Sequence, residues 1–315
     1  WAYDPGIRAV LIEGAGDRAF CAGGDVRAVY EAGKGISGAR DFTSVFFAEE
    51  YRIILGIHHY PKPYVALLDG ITMGGGAGVS VNGAYRVATE KTMFAMPETG
   101  IGLFPDVGAT RFLNLCPGRI GRYLGLTGAR LGAADALYCG FATHFVPRER
   151  LPELKAAMFA CDWPQGAGHP QVEAVLRRFA ADPGAAPLAA RRGMIDRCFA
   201  GDTMEAILAA LDAETADAAW AAETRAALLA KSPTSLRITL RQLVLGHGMD
   251  LAAALKLEYR MTQHVMAGHD FYEGIRAVLI DKDQQPRWRP PSLAAVDEAM
   301  TAGYFASLGD GELAL

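Results

Sequence analysis

The chain has 315 residues, 51 % of them hydrophobic, and a formal net charge of -4. That length suits one large domain, or one domain with a substantial appendage. The near-neutral balance without a basic cluster excludes a nucleic-acid binder, which needs an electrostatic footprint. Apolar runs such as Tyr64 to Leu68 stop far short of the roughly 20 residues of a membrane-spanning helix, so no membrane partner is expected. Cys21, Cys116, Cys139, Cys161 and Cys198 are scattered, odd in number and free of CxxC spacing, which predicts buried free thiols in a reduced compartment and no metal site. The Ala- and Arg-rich composition fits a bacterial cytoplasmic protein. The sequence opens at Trp1 in what reads as a helix end; no signal or transit segment is visible, and one could have been removed before that start.

Arg8 to Glu13, RAVLIE, is a short branched run closed by GAG and predicts a buried strand. The glycine turn in AFCAGGD then leads into a helix from about Val26 to Ala32. GAGDRA matches the loose GxGxxA dinucleotide pattern, but a pyrophosphate loop opens directly into a helix, and here Phe20 to Gly24 intervenes. Phe42 to Ile57 has apolar residues at helical spacing, with Glu49, Glu50 and Arg52 between them. Those charges read as a solvated face, with Glu50 beside the apolar seam and able to point toward a pocket.

Lys62 to Gly70, KPYVALLDG, predicts a fully buried strand, followed by Gly74, Gly75 and Gly76 and a helix over Ala77 to Ala84. A strand, a glycine turn and a helix N-terminus leave backbone N–H groups directed at one spot, which suits an oxyanion. The plainer alternative is glycine for tight strand-to-helix packing. A P-loop is excluded, because no Lys-Ser/Thr follows the glycines. Arg86 to Met96 predicts two more short strands. Helices are expected over Ala109 to Leu115, Gly121 to Leu126 and the start of Ala133 to Val146, which ends in a last strand, FATHFVP. Repeated strand, glycine turn and helix units indicate an α/β core over 1–150.

From Leu151 the composition turns to Ala, Leu, Arg and Glu, with Pro and Gly at Pro164 to Pro170 and Asp182 to Pro187. The expectation is a mainly helical region, 151–315, packing on the core. Thr203 to Ala230, Ser235 to Leu245 (capped by Ser232 before Pro233) and Asp250 to Ala267 are its long helical patterns. A brief VLI at Val278 to Ile280 is the one strand-like run, and Ala294 to Leu308 predicts a last short helix.

The stretch Phe94 to Phe112, FAMPETGIGLFPDVGATRF, sets two carboxylates, Glu98 and Asp106, in an otherwise largely apolar, glycine-broken run. A carboxylate flanked by apolar residues costs desolvation energy, has a raised pKa, and is a candidate nucleophile, base or acid. The preferred reading is a pair of acids facing one reacting carbonyl. The structural alternative makes Asp106 a helix N-cap and Glu98 a turn carboxylate.

With these residues in view, the chain resembles the crotonase (enoyl-CoA hydratase/isomerase) superfamily, and more closely its 3-hydroxyisobutyryl-CoA hydrolase branch. The resemblance runs over AFCAGGD, FFAEEYR, KPYVALLDGITMGGGAGVS, the PET and FPDVG pair, ALYCGFATHFV and HDFYEGIRAVLIDKDQQPRW, nearly the whole chain. It implies the crotonase (ClpP-like) spiral of β-β-α units followed by a C-terminal helical region. It also implies thioester hydrolysis of a four-carbon β-hydroxyacyl-CoA in valine catabolism. Carried over residue by residue, it puts the oxyanion hole on the backbone N–H groups of Gly24 and Gly75 and the catalytic carboxylates on Glu98 and Asp106. A further pocket glutamate falls on Glu50, and the loop with Ala22, Asp25 and Val26 would border the adenine end of CoA. The sequence leaves open whether Glu98 attacks the carbonyl or acts as base toward water, and whether Asp106 binds the substrate hydroxyl or assists proton transfer.

Four further expectations follow from the resemblance. Coenzyme A is part of the substrate, and no other cofactor is implied; a homo-oligomer is expected of crotonase relatives. A hydratase is disfavoured, because its second catalytic glutamate would fall on Gly78, while an acid has appeared instead at Asp106. A catalytically idle acyl-CoA-binding protein is disfavoured, because binding a thioester needs neither Glu98 nor Asp106. The resemblance has two departures: the strands and helix with which the family begins are absent before Trp1, which would leave an unpaired sheet edge, and Ala109 stands where relatives often carry glycine.

Overall fold

Seven short strands alternate between two parallel sheets in a computed structural model that describes residues 1–38, 41–163 and 168–315. Strands β1 (Val10–Glu13), β3 (Tyr64–Leu68), β5 (Tyr85–Ala88) and β7 (His144–Phe145) form one sheet in that order. Strands β2 (Ala19–Cys21), β4 (Ile71–Met73) and β6 (Met93–Ala95) form the other. Each successive strand therefore changes sheet. Helix α1 (Val26–Gly33) follows β2 and is itself followed by α2 (Phe42–His58); α3 (Gly75–Val81) follows β4, and α4 (Ala109–Phe112) comes after β6. This is the β-β-α spiral expected from the sequence.

The chain gathers into two units, each made of three segments. One holds Trp1–Gly23, Ile53–Ala95 and Arg130–Ala190; the other holds Gly24–Arg52, Met96–Ala129 and Arg191–Leu315. Neither follows the division at residue 150 suggested by composition. The reason in the first unit is packing on β3. Val65, Leu67 and Val87 on one face are covered by Leu154 and Met158 of the helix Leu151–Phe159 and by Val172, Leu176 and Phe179 of the helix His169–Phe179. The opposite face, Tyr64, Ala66 and Leu68, packs with Phe20. Both faces of β3 are thus buried, which is why YVALL reads as an unbroken apolar run rather than an alternating one.

The second unit is largely helical. Ser232 and Asp250 cap the helices Pro233–Leu245 and Leu251–Met266 as their sequences predict, accepting from the N–H groups of Ser235 and Ala253. Thr203 to Ala230 is two helices, Met204–Ala213 and Ala218–Leu229, because Glu214 is extended and Asp217 caps afresh on the Trp220 N–H. The VLI run is not a strand but a π-helical turn, Arg276–Ile280, continuing the helix Asp270–Ile275. The last helix is confined to Glu298–Gly303. Of the proline- and glycine-rich stretch 164–170, residues 164–167 lie outside the described residues.

Helix α3 begins at Gly75, two residues earlier than its apolar run suggests, since glycine permits a close approach there. A Cβ on Gly76 would lie 2.2 Å from the carbonyl oxygen of Cys21. No side chain fits against that backbone atom without moving β2 or α3. Gly76→Ala should therefore lower stability by about 1–3 kcal/mol, the usual cost of overpacking, read as a fall in the urea-unfolding midpoint; an unchanged midpoint would show that the two elements separate freely.

Candidate active site

Glu98 opens a 3-10 turn, Glu98–Ile101, and is only 4 % exposed. Backbone approach fixes this turn. A Cβ on Gly102 (φ +73°) would meet the Asp270 carbonyl at 2.2 Å, and one on Gly274 would lie 2.4 Å from the Ile101 carbonyl. The HDFYEG segment can lie against the turn because both positions lack side chains, and Gly102 also takes the left-handed conformation that glycine tolerates. Asp270 accepts hydrogen bonds from the Ser232 hydroxyl (2.6 Å) and the Arg289 N–H (2.8 Å). Ser232 in turn donates its N–H to the Thr99 carbonyl (3.1 Å).

Asp106 lies in the next loop and is equally buried. It is not a helix cap. Gly108 (φ +92°) occupies the cap position of α4, while the Asp106 carboxylate accepts the Tyr51 hydroxyl through Oδ2 at 2.7 Å. Tyr51 is fully buried on α2, next to the half-buried Glu50. From the helix Leu251–Met266, Glu258, with no exposed surface, accepts the N–H groups of Gly108 (2.7 Å) and Thr110 (2.8 Å). Gln242 donates to the Pro105 carbonyl (2.7 Å) and the Thr110 hydroxyl (2.8 Å).

Burial governs the charge of this group. It raises Glu98 well above the ordinary glutamate range, helped by the charges of Asp106 and Glu50 and opposed by Lys231. Burial also raises Asp106, to about 6, but the Tyr51 hydroxyl and a backbone hydrogen bond hold it back. Glu50 is pushed up to about 8 by burial and by the charges of Asp106 and Glu258. Glu258 also reaches about 8 through burial, restrained by its bonds from Thr110 and Gly108. Among the described residues Glu98 Oε2 has no hydrogen-bond partner. Burial thus favours the protonated form of Glu98, while the Tyr51 hydroxyl favours the ionised form of Asp106, so the two carboxyls are pushed apart in acidity.

The structure thus brings Glu50, Glu98 and Asp106 together within the second unit. Gly24 belongs to the same unit; it is exposed, and a Cβ on it would lie 2.8 Å from the Phe46 ring. Asp25 is the N-cap of α1, accepting the Ala28 N–H (3.0 Å), and Val26 is the first residue of that helix. Ala22 and Gly75 lie in the first unit. Gly75 is the first residue of α3, after Gly74 (φ +52°), where a helix leaves its N–H groups without internal partners. Among the described residues no group of three or more His, Cys, Asp or Glu side chains is arranged to hold a metal ion.

Sequence reasoning missed Tyr51, Glu258 and Lys231. The signal for the first two is their position on buried helical seams. Tyr51 sits with Phe47 and Ile54, and Glu258 with Leu251, Leu255, Thr262 and Val265. A lone acid on such a seam must be paid for by specific partners.

The sequence matches the profile described as enoyl-CoA hydratase/isomerase over residues 1–305. It is 47 % identical over 320 residues to the mitochondrial 3-hydroxyisobutyryl-CoA hydrolase of Xenopus tropicalis, covering 100 % of this chain and 81 % of the relative. Against the human enzyme of the same name it is 44 % identical over 318 residues, covering 99 % and 80 %. Two solved structures share the whole fold. A protein titled carnitinyl-CoA dehydratase from Mycobacterium thermoresistibile has 42 % identity and a TM-score of 0.91, covering 100 % of this chain and 87 % of that one. One titled enoyl-CoA hydratase from Rhodobacter sphaeroides 2.4.1 has 41 % identity and a TM-score of 0.88, covering 100 % and 88 %.

Two outcomes test the electrostatics. Tyr51→Phe removes a bond to the ionised form of Asp106, so its midpoint in a carboxyl carbon NMR titration should rise above about 6; an unmoved midpoint would mean that the hydroxyl does not stabilise the charge. Glu50 has a folded-state pKa raised from 4.5 to about 8, so the folded protein binds the extra proton. Its contribution to stability is fully present below about pH 4.5 and is lost as pH rises through about 8. The urea-unfolding midpoint should fall across that window, and fall less in Glu50→Gln.

Proposed function

The chain belongs to the enoyl-CoA hydratase/isomerase family, and from that premise we propose that it hydrolyses 3-hydroxyisobutyryl-CoA to 3-hydroxyisobutyrate and coenzyme A. The observation that carries this reading is the buried pair Glu98 and Asp106, with the Tyr51 hydroxyl bonded to Asp106 and Glu98 Oε2 without a partner among the described residues. The names of the relatives at 44 and 47 % identity support it. So does Gly78, the position on which, by the family resemblance, a hydratase's second acid would fall.

In the proposed reaction, water adds to the thioester carbonyl carbon as the ionised Asp106 takes its proton. The backbone N–H groups of Gly24 and Gly75 are assigned to the developing oxyanion by the family resemblance, each worth on the order of 3 kcal/mol in the transition state. Collapse of the tetrahedral intermediate breaks the C–S bond, and protonated Glu98 supplies the proton that the departing thiolate takes. The acids then return to their starting states by exchange with solvent. Glu50 borders the acyl group in this proposal, and Ala22, Asp25 and Val26 border the adenine end of CoA. The reaction needs no cofactor besides the CoA carried by the substrate. A cytoplasmic location, a homo-oligomer and a place in valine catabolism complete the proposal. Among the described residues no helix is long and apolar enough to cross a membrane.

A second reading, hydration of an enoyl-CoA, is favoured by the titles of the two solved structures at 41 and 42 % identity. Thiol release from a panel including 3-hydroxyisobutyryl-CoA and crotonyl-CoA separates the two, with enoyl absorbance followed alongside. Hydrolysis gives thiol from the hydroxyacyl ester; loss of enoyl absorbance without thiol would establish hydration instead. Glu98→Gln should lower kcat for thiol release by about 10²–10⁴-fold, the range for losing a general acid or base, while CoA-ester binding survives.

A further inference from the structure

The loop from Pro105 to Thr110 contains a backbone conformation that the residue itself disfavours. Val107 has φ +58° and is 1 % exposed. For a β-branched residue the left-handed region is a steric outlier, costing on the order of 1–3 kcal/mol, and it persists only where surrounding structure over-determines it. Gly108 follows at φ +92°, which glycine accepts without strain. The turn places the Asp106 carbonyl to accept the Ala109 N–H (3.0 Å), while the Asp106 carboxylate meets the Tyr51 hydroxyl.

What holds this turn comes from far away in sequence. Gln242 ties its two ends together through the Pro105 carbonyl and the Thr110 hydroxyl. Glu258 takes its middle, with Oε2 on the Gly108 N–H and Oε1 on the Thr110 N–H. These N–H groups belong to the cap and second residues of α4, where a helix has no internal acceptors. A local Ser or Asp cap would satisfy one of them. Instead, a buried glutamate from a separate helix satisfies two, at the cost of its own desolvation. Both of its oxygens are engaged by the loop, so Glu258 is not disposed to touch substrate.

We propose that Glu258 is a positioning residue for Asp106: its carboxyl group grips the N–H groups of Gly108 and Thr110, fixes the left-handed turn at Val107, and thereby aims the Asp106 carboxylate. This rests on the reading of Asp106 as a member of the hydrolytic pair. Glu258 contributes to the reaction through Asp106 alone. Removing it lets the loop relax, and displacement by about 1 Å costs a catalytic group about 10²-fold.

The test compares wild type, Glu258→Gln, Asp106→Asn and the double variant in thiol release from 3-hydroxyisobutyryl-CoA, with amide hydrogen exchange followed over residues 105–112. Glutamine keeps the size but replaces one acceptor with a donor. Glu258→Gln should lower kcat by about 10–100-fold with KM within about twofold, and the double variant should be no slower than Asp106→Asn. Exchange over 105–112 should quicken by about tenfold or more, while the helix Ile120–Thr127 stays protected. An unchanged kcat, multiplying effects in the double variant, or unchanged exchange in the loop would each overturn the proposal. If wild type releases no thiol from any acyl-CoA, the hydrolase reading fails and the exchange measurement alone decides whether Glu258 holds the loop. If Glu258→Gln does not fold, exchange of the Gly108 and Thr110 amides in wild type decides: protection supports the grip, and free-peptide rates refute it.

Discussion

Three buried carboxyl groups, a half-buried fourth and a buried phenol lie together, and the desolvation of their charges is the constraint on which the rest of this protein depends. Each of Glu50, Glu98, Asp106 and Glu258 would be ionised in water at neutral pH. Removed from water, they cannot all be, because burial disfavours every charge and each charge formed raises the pKa of its neighbours. The group must hold protons. Which carboxyl stays ionised is decided by hydrogen bonds, and the Tyr51 hydroxyl favours Asp106. Lys231 lies near enough to Glu98 to oppose its protonation, but its own ammonium is disfavoured by burial. Burial and hydrogen bonding thus push the two carboxyls apart in acidity.

Holding such a group requires backbone that does not yield, and the helices of the C-terminal half supply it. The turn that carries Glu98 is backed by the Asp270–Ile275 helix at two glycines where the backbones nearly touch. The loop that carries Asp106 is bound by Gln242 and Glu258 from the two preceding long helices. These segments are therefore not an appendage to a catalytic core. They are the walls of the candidate site, which is why the contacts group Arg191–Leu315 with Met96–Ala129 rather than dividing the chain at residue 150.

The strands and capped helices were legible because each writes its signal locally. YVALL shows a strand buried on both faces, and Ser232-Pro233 and Asp250 mark helix starts within a single turn of chain. Glu98 and Asp106 were legible for a related reason, since charge in an apolar, glycine-broken run is locally costly. Their surroundings were not. Tyr51 looks like any core aromatic at helical spacing, and Glu258 is an acid on a helical seam whose partners its own helix does not name; only the fold shows that both face the same loop. Thr203 to Ala230 failed for the opposite reason: its helical propensity runs unbroken, while the break at Glu214 and Asp217 is made by a fresh cap that propensity alone does not weigh.

Proteins to which this chain is similar are named hydrolase, dehydratase and hydratase, yet the dehydratase and the hydratase share its whole fold. The scaffold therefore does not choose the reaction. All three chemistries begin with a CoA thioester whose carbonyl must be polarised, and they part over where protons are delivered. Hydration adds water across a carbon–carbon double bond and leaves the C–S bond intact, so its acid and base must serve the two alkene carbons. Hydrolysis puts water on the carbonyl carbon and must protonate a departing sulfur, so both groups are wanted about one atom. Glycine at position 78 has no side chain that could deliver a proton there. Asp106 and Glu98 are both buried, on one loop and one turn of a single unit, and the charge of Asp106 raises the pKa of Glu98. The two reactions therefore differ in the atoms that an acid and a base must reach, which is a matter of where the carboxyls stand as well as of how many there are.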